Sequence, residues 1–223
     1  MGEPSEPIIK IFGVLDITGE VVAMWIIIAV AALLSLVVTR NLKERPGKLQ
    51  NMLEAGVEYL DNFFTDILGK KNARKYMYFL GSLFCFIILA NYSGLFPAVG
   101  MTKYVKAPTS SLSVTMALGA LTFLFLQVSG FRAGPKRYVK HFFSPVLLFF
   151  LLILDEIIKP ASLALRLFGN VFGEEAVTEN LFEMLPVGLP VIMMLLSLLF
   201  CAIQAMVFTM LTASYLNEFI EEE

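Results

Sequence analysis

The stretch that could do chemistry lies between Asp155 and Glu175. It places Asp155, Glu156, Lys159, Arg166, Asn170, Glu174 and Glu175 inside an otherwise apolar run. Ionisable groups in such surroundings are costly to hold and mark paths for ions or protons. On a helix at about 100° per residue, Asp155 falls about −20° from Arg166, Lys159 about +20°, Ser162 about −40° and Asn170 about +40°. These residues therefore share one polar stripe. Asp155 and Lys159 are four positions apart and can neutralise each other as an ion pair near the inner membrane interface.

Arg166 is different, because no acidic residue stands four positions from it on either side. A guanidinium stays protonated in a protein. It is a fixed cation that needs an anion from elsewhere, unless it snorkels to water or pairs within its own chain. Glu175 falls about 180° from Arg166 and Glu174 about 80°. The two carboxylates would line a separate aqueous path toward the outer side, or stand at an exposed helix end. Further on, Ser197 and Gln204 are seven apart and share a helix face. The Gln204 amide would bond the preceding helix or orient water, with plain helix packing as the alternative.

Other candidates carry less. Cys85 and Cys201 both lie in apolar runs and read as packing residues rather than a disulfide or metal site. His141 follows a basic loop and reads as a cap or surface residue more than a proton relay. Trp25 reads as a packing or interface anchor. Gly134-Pro-Lys136 lacks the spacing of a phosphate-binding loop, so nucleotide chemistry would fall to another chain. No residue is assigned a catalytic role, and neither a metal nor a cofactor is expected.

The elements that position these residues follow from composition and apolar runs. Of 223 residues, 57% are hydrophobic and 16% charged, with a mean hydropathy of +0.75. Soluble domains hold about 45–50% apolar and about 25% charged residues. A water-facing shell could not cover this chain, and a membrane is its natural solvent. The net charge of −2 gives no support for nucleic-acid binding. The start, MGEPSEPIIK, lacks the basic region of a secretory signal.

Apolar runs predict an all-α polytopic membrane protein forming one domain: an outer N-terminal segment 1–20, then five spanning helices over 21–39, 76–97, 112–130, 145–178 and 187–217. Segment 47–69 has helical periodicity, with one greasy stripe and a face carrying Glu54, Glu58, Asp61 and Asp66. It is expected to lie on the inner surface as an amphipathic helix, its acidic face meeting a protein partner or only solvent. The last two spans are too long. A helix over 145–177 would run about 50 Å, against a hydrocarbon core of about 30 Å. They are expected to form a long, strongly inclined hairpin, with Pro160 as a possible kink site.

Basic residues set the orientation. Arg40, Lys43, Arg45, Lys48, Lys70, Lys71, Arg74, Lys75, Arg132, Lys136, Arg137 and Lys140 fall on one side, and Lys10, Lys103 and Lys106 on the other. Basic loops stay inside, which puts the N-terminus outside and the acidic C-terminus in the cytoplasm.

The run Lys159-Pro-Ala-Ser-Leu-Ala-Leu-Arg-Leu-Phe-Gly-Asn170 resembles the signature of the a subunits of F-type ATP synthases. Asn91-Tyr-Ser-Gly-Leu-Phe-Pro97, Ser113-Val-Thr-Met-Ala-Leu118 and Ile203-Gln-Ala-Met-Val-Phe-Thr-Met-Leu-Thr212 add to the likeness, which covers nearly the whole chain from the first span onward. The resemblance implies a non-catalytic stator in a bacterial plasma (inner) membrane. It implies two offset half-channels carrying H⁺ or Na⁺ to and from the carboxylates of a c-subunit rotor ring. Arg166 matches the essential arginine facing that ring. Asn170, Glu175 and Gln204 match polar positions beside the ion path, while Lys159 and Ser162 match others in the signature. Peripheral-stalk b subunits and membrane lipid are the further implied partners. Some members carry a histidine where this chain has Ser197. Water held by Glu174, Glu175 and Ser197 is the expected substitute. The competing readings are a stand-alone ion transporter or channel, gated by Arg166 and Glu175, and a structural scaffold.

Overall fold

The architecture comes from a computed structural model, which describes residues 9–11, 15–17, 19–40, 47–94, 107–134, 149–184 and 188–221. Two short strands, β1 (Ile9–Ile11) and β2 (Leu15–Ile17), pair antiparallel with Ile9 opposite Ile17. This hairpin lies in the N-terminal segment, for which no strand was expected. Five helices follow: α1 (Gly19–Arg40), α2 (Lys48–Ser93), α3 (Leu112–Ala133), α4 (Phe149–Met184) and α5 (Leu189–Glu221). A short 3₁₀ turn, Pro108–Ser110, leads into α3.

Among the described residues, three helical stretches are long and apolar enough to cross a membrane: Gln50–Ser93, Leu112–Ala133 and Ile192–Ile220. Val21–Val37 is a shorter apolar helix. α4 has 36 residues but is interrupted by charge. At about 1.5 Å per residue it would run about 54 Å. It continues through Pro160 as one helix, although that residue supplies no backbone N–H to the ladder.

α2 holds two segments in one run. Its only non-helical residue is Gly69, at φ 72° and ψ 154°, a left-handed backbone that glycine adopts without a Cβ clash. The segment over 47–69 ends at this break. Leu60, Phe64 and Leu68 recur every fourth residue and are buried against Ala213 and Leu216 of α5. Met52, Leu53 and Val57, earlier on the apolar stripe, are exposed, as are the four acidic residues. The second arm starts right after Gly69 and ends at Ser93. It thus begins before the apolar run that marks it in the sequence. Its end comes before 97, because the Gly94 N–H turns back onto the Asn91 and Tyr92 carbonyls.

The core is shared by α2, α3, α4 and α5. Leu83 and Ile87 of α2 meet Leu118 of α3, Leu163 and Leu167 of α4, and Ala205 and Phe208 of α5. Gly119 lets α3 lie directly on α4. A Cβ built there would stand 2.9 Å from the Pro160 carbonyl oxygen and 3.0 Å from the Ala164 Cβ. Because the nearest neighbour is backbone, relief requires the helices to part. Gly119→Val is therefore expected to cost about 1–3 kcal/mol, the usual range for overpacking. A lower midpoint in thermal dissociation of the purified protein checks this; an unchanged midpoint would show that the contact yields freely.

Several expected features lie outside the described residues: His141, residues 95–97 and 145–148, the turn at 185–187, Lys43, Arg45, Lys103, Lys106, Lys136, Arg137 and Lys140.

Candidate functional site

α4 organises the site because its two faces differ. Leu163, Ala164, Leu167 and Val171 are buried in the core. Asp155, Ser162, Arg166 and Gly169 are exposed on the other side. Around Arg166, Ile158, Leu165 and Phe172 are apolar and about half exposed, with Ser162 and Gly169 beside them. Among the described residues, every ion pair belongs to Lys159 and none to Arg166. The guanidinium thus stands on a greasy outward face with no carboxylate of a described residue beside it. No described residue of this chain supplies the anion that such a charge needs in lipid.

Toward the start of α4, the expected Asp155–Lys159 pair forms, at 3.0 Å. It is part of a larger cluster. Lys159 Nζ also reaches Glu218 of α5 at 2.8 Å and Glu156 at 3.5 Å, and lies 5.4 Å from the centre of the Tyr215 ring. Glu156 is buried and accepts a hydrogen bond from Gln127 Nε2 of α3 at 3.0 Å. One lysine and one glutamate therefore join three helices.

Beyond Arg166, Asn170 Nδ2 donates to Glu174 Oε1 at 3.2 Å. Glu174 Oε2 accepts from Cys201 Sγ on α5 at 3.5 Å. Asn170, Glu174 and Ser197 line a cleft of about 270 Å³ between α4 and α5, with Gly169, Gly173 and Leu196 among its apolar walls. Liquid water takes about 30 Å³ per molecule, so several waters fit. Glu175 is half-buried but is not part of that lining. The structure thus separates two neighbours that were expected to hold water together, and the reason is their 100° offset on the helix.

Gln204 is 7% exposed, and its Nε2 finds no hydrogen-bond partner among the described residues. Of the three readings of this amide, a bond from its nitrogen to α4 is not formed among the described residues. Cys201 is buried and free, as a packing residue would be, and its thiol also bonds Glu174, the carboxylate lining the cleft. Its position between Ser197 and Gln204 on one α5 face was the available signal. Asn91 and Tyr92, at the end of α2, also reach this part of α5. Asn91 Nδ2 donates to the Cys201 carbonyl at 3.5 Å, and the Tyr92 hydroxyl to the Leu198 carbonyl at 3.2 Å.

Long apolar helices with Glu156 and Gln204 buried between them, and an arginine on the outward face of one, define a helical membrane protein. Known proteins narrow this further. A family model described as ATP synthase A chain matches residues 21–217. The chain is 40% identical to the ATP synthase subunit a of Moorella thermoacetica over 210 residues, 93% of each chain. It is 33% identical to the subunit a of Gloeobacter violaceus, covering 94% of this chain and 87% of that one. It is 36% identical to ATP synthase subunit a 3 of Pelobacter propionicus, covering 89% and 86%. The chain belongs to the ATP synthase A chain family.

Proposed function

We propose that this chain works as the ion-conducting stator in the membrane sector of an F-type ATP synthase, with Arg166 facing a rotor ring of c subunits. The observation that carries the reading is the exposed guanidinium on a largely apolar helix face, with no ion pair to any described residue. A self-contained scaffold has no use for such a charge, whereas a stator beside moving carboxylates needs one. Nucleotide chemistry belongs to other subunits of the complex.

In this reading the chain crosses a bacterial plasma membrane five times, with the N-terminus outside and the C-terminus in the cytoplasm. The first arm of α2 lies along the inner surface, and its acidic face meets the peripheral-stalk b subunits. α4 and α5 are the inclined hairpin that lies against the ring. An H⁺ or Na⁺ entering from outside passes the cleft at Asn170, Glu174 and Ser197, with Glu175 and Gln204 beside the path, and binds a rotor carboxylate. The neutralised carboxyl travels through lipid, where a neutral group is far cheaper than a charged one. On the inner side it releases its ion near Ser162 and Lys159. Arg166 stabilises the ionised carboxylate between these events by Coulomb attraction in a low dielectric. Its permanent charge also bars an ion from crossing directly between the two paths. The driving force is about 2.3 kcal/mol per charge per 100 mV.

Reconstitution separates this from a stand-alone transporter. Liposomes holding the purified chain alone are expected to show no ion flux above empty vesicles, while liposomes holding the membrane sector with its ring conduct. Robust flux through the chain alone would favour the transporter reading.

A further inference from the structure

Among the described residues the Glu174 carboxylate has three neutral donors and no cation. Asn170 sits a turn away on the same helix. Ser197 and the Cys201 thiol reach it across the helix interface from α5. Ser197, Cys201 and Gln204 occupy i, i+4 and i+7 of α5 and are 2%, 2% and 7% exposed. The Cys201 turn is tied from a third side, because Asn91 and Tyr92 of α2 donate to its backbone and to that of Leu198. The thiol is thus held by α2 and α5, while its acceptor rides on α4. Glu174 borders the cleft and Cys201 does not, so the sulfur holds the carboxylate from behind without blocking the space for water.

We propose that Cys201 is a positioning residue for ion transfer: its S–H donates to Glu174 Oε2 and fixes which way the carboxylate faces in the cleft between α4 and α5. The proposal rests on the reading of that cleft as part of the ion path. With the thiol gone, only Asn170 and Ser197, both lining the cleft, constrain the carboxylate, and the hold from behind is lost. A packing role and a donor role make opposite demands at this position. Valine fills the volume of cysteine without a donor, while serine keeps a donor and gives up volume.

The test uses the intact complex in inverted membrane vesicles, with ATP-driven ion pumping normalised to the assembled complex. Cys201→Val is expected to lower pumping about tenfold, the scale of a lost hydrogen bond to a charged group. Cys201→Ser is expected to restore it to within about threefold, since a hydroxyl donates more strongly than a thiol but reaches less far. On a Glu174→Gln background, Cys201→Val should bring little further loss, because residues acting as a unit are not additive. Pumping that follows volume, with Val at least as active as Ser, overturns the proposal. So does a Val effect that simply multiplies with Glu174→Gln. If Glu174→Gln by itself pumps like the unaltered complex, it is the ion-path reading of the cleft that fails. If Glu174→Gln is impaired and Cys201→Val is not, the path stands and only the thiol's role is lost.

Discussion

Arg166→Ala is expected to abolish coupled ATP synthesis and ATP-driven ion pumping, while the complex still assembles. Assembly should survive because the side chain is exposed and bonds no described residue, so its removal opens no cavity and orphans no carboxylate among the described residues. Function should fail because a rotor carboxylate meeting this face would find no counter-charge. Truncating one partner of a desolvated charge pair costs about 2–5 kcal/mol. At about 1.4 kcal/mol per factor of ten, that is a loss of about thirty- to several-thousand-fold. Arg166→Lys is expected to recover little. Its ammonium offers no planar fork and can lose its proton when desolvated, which a guanidinium does not do. Immunoblots of isolated complex read assembly, and vesicle acidification or sodium uptake reads pumping. Pumping by Arg166→Ala within twofold of normal would remove the basis for assigning the ring-facing role to this residue.

That Arg166 has no acidic partner on its own helix turn was legible in the sequence because it is a local property. A helix offers a side chain partners at i±3 and i±4, and those positions hold Ser162, Leu163, Gly169 and Asn170. The i,i+4 pair Asp155–Lys159 is local in the same way. The sequence analysis did not pick out Asn170–Glu174 or Lys159–Glu156 within α4, and the other undisclosed bonds of the site cross between helices. Glu218 meets Lys159 from 59 residues away, Gln127 meets Glu156 from 29, and Cys201 meets Glu174 from 27. Such pairings depend on helix register and rotation, which a periodicity argument leaves free. Element boundaries show the same division. Apolar runs locate α3 because its composition changes where its helix does. They miss the true start of the second α2 arm, where Lys70 and Lys71 are helical but polar, since hydropathy reports the solvent and not the hydrogen-bond ladder. Strands β1 and β2 were missed for a third reason: three-residue strands carry too little pattern to stand out.

Lys159 gives the largest expected effect on stability. Among its three carboxylates, Asp155 and Glu218 have side chains 55% and 44% exposed, whereas Glu156 is only 7% exposed and Lys159 itself 13%. Pairs to exposed partners contribute at most about 1 kcal/mol each. The Glu156 contact matters more, because deleting one member of a buried pair leaves the other charged and uncompensated, at about 3–5 kcal/mol. The separation of 3.5 Å and the residual exposure of the lysine place this pair below the top of that range. Lys159→Met is therefore expected to lower the thermal dissociation midpoint of the complex by the equivalent of about 2–4 kcal/mol. Most of that loss should return in Lys159→Met with Glu156→Gln. The amide removes the stranded charge and can still accept the Gln127 bond, whereas the Asp155 and Glu218 contacts stay broken. If the double variant is no more stable than Lys159→Met, the stabilisation lies in the tie from α4 to Glu218 on α5, not in neutralising Glu156. In that case Glu218→Gln should reproduce the loss by itself. The two explanations thus separate by which carboxylate, once made neutral, relieves the missing lysine.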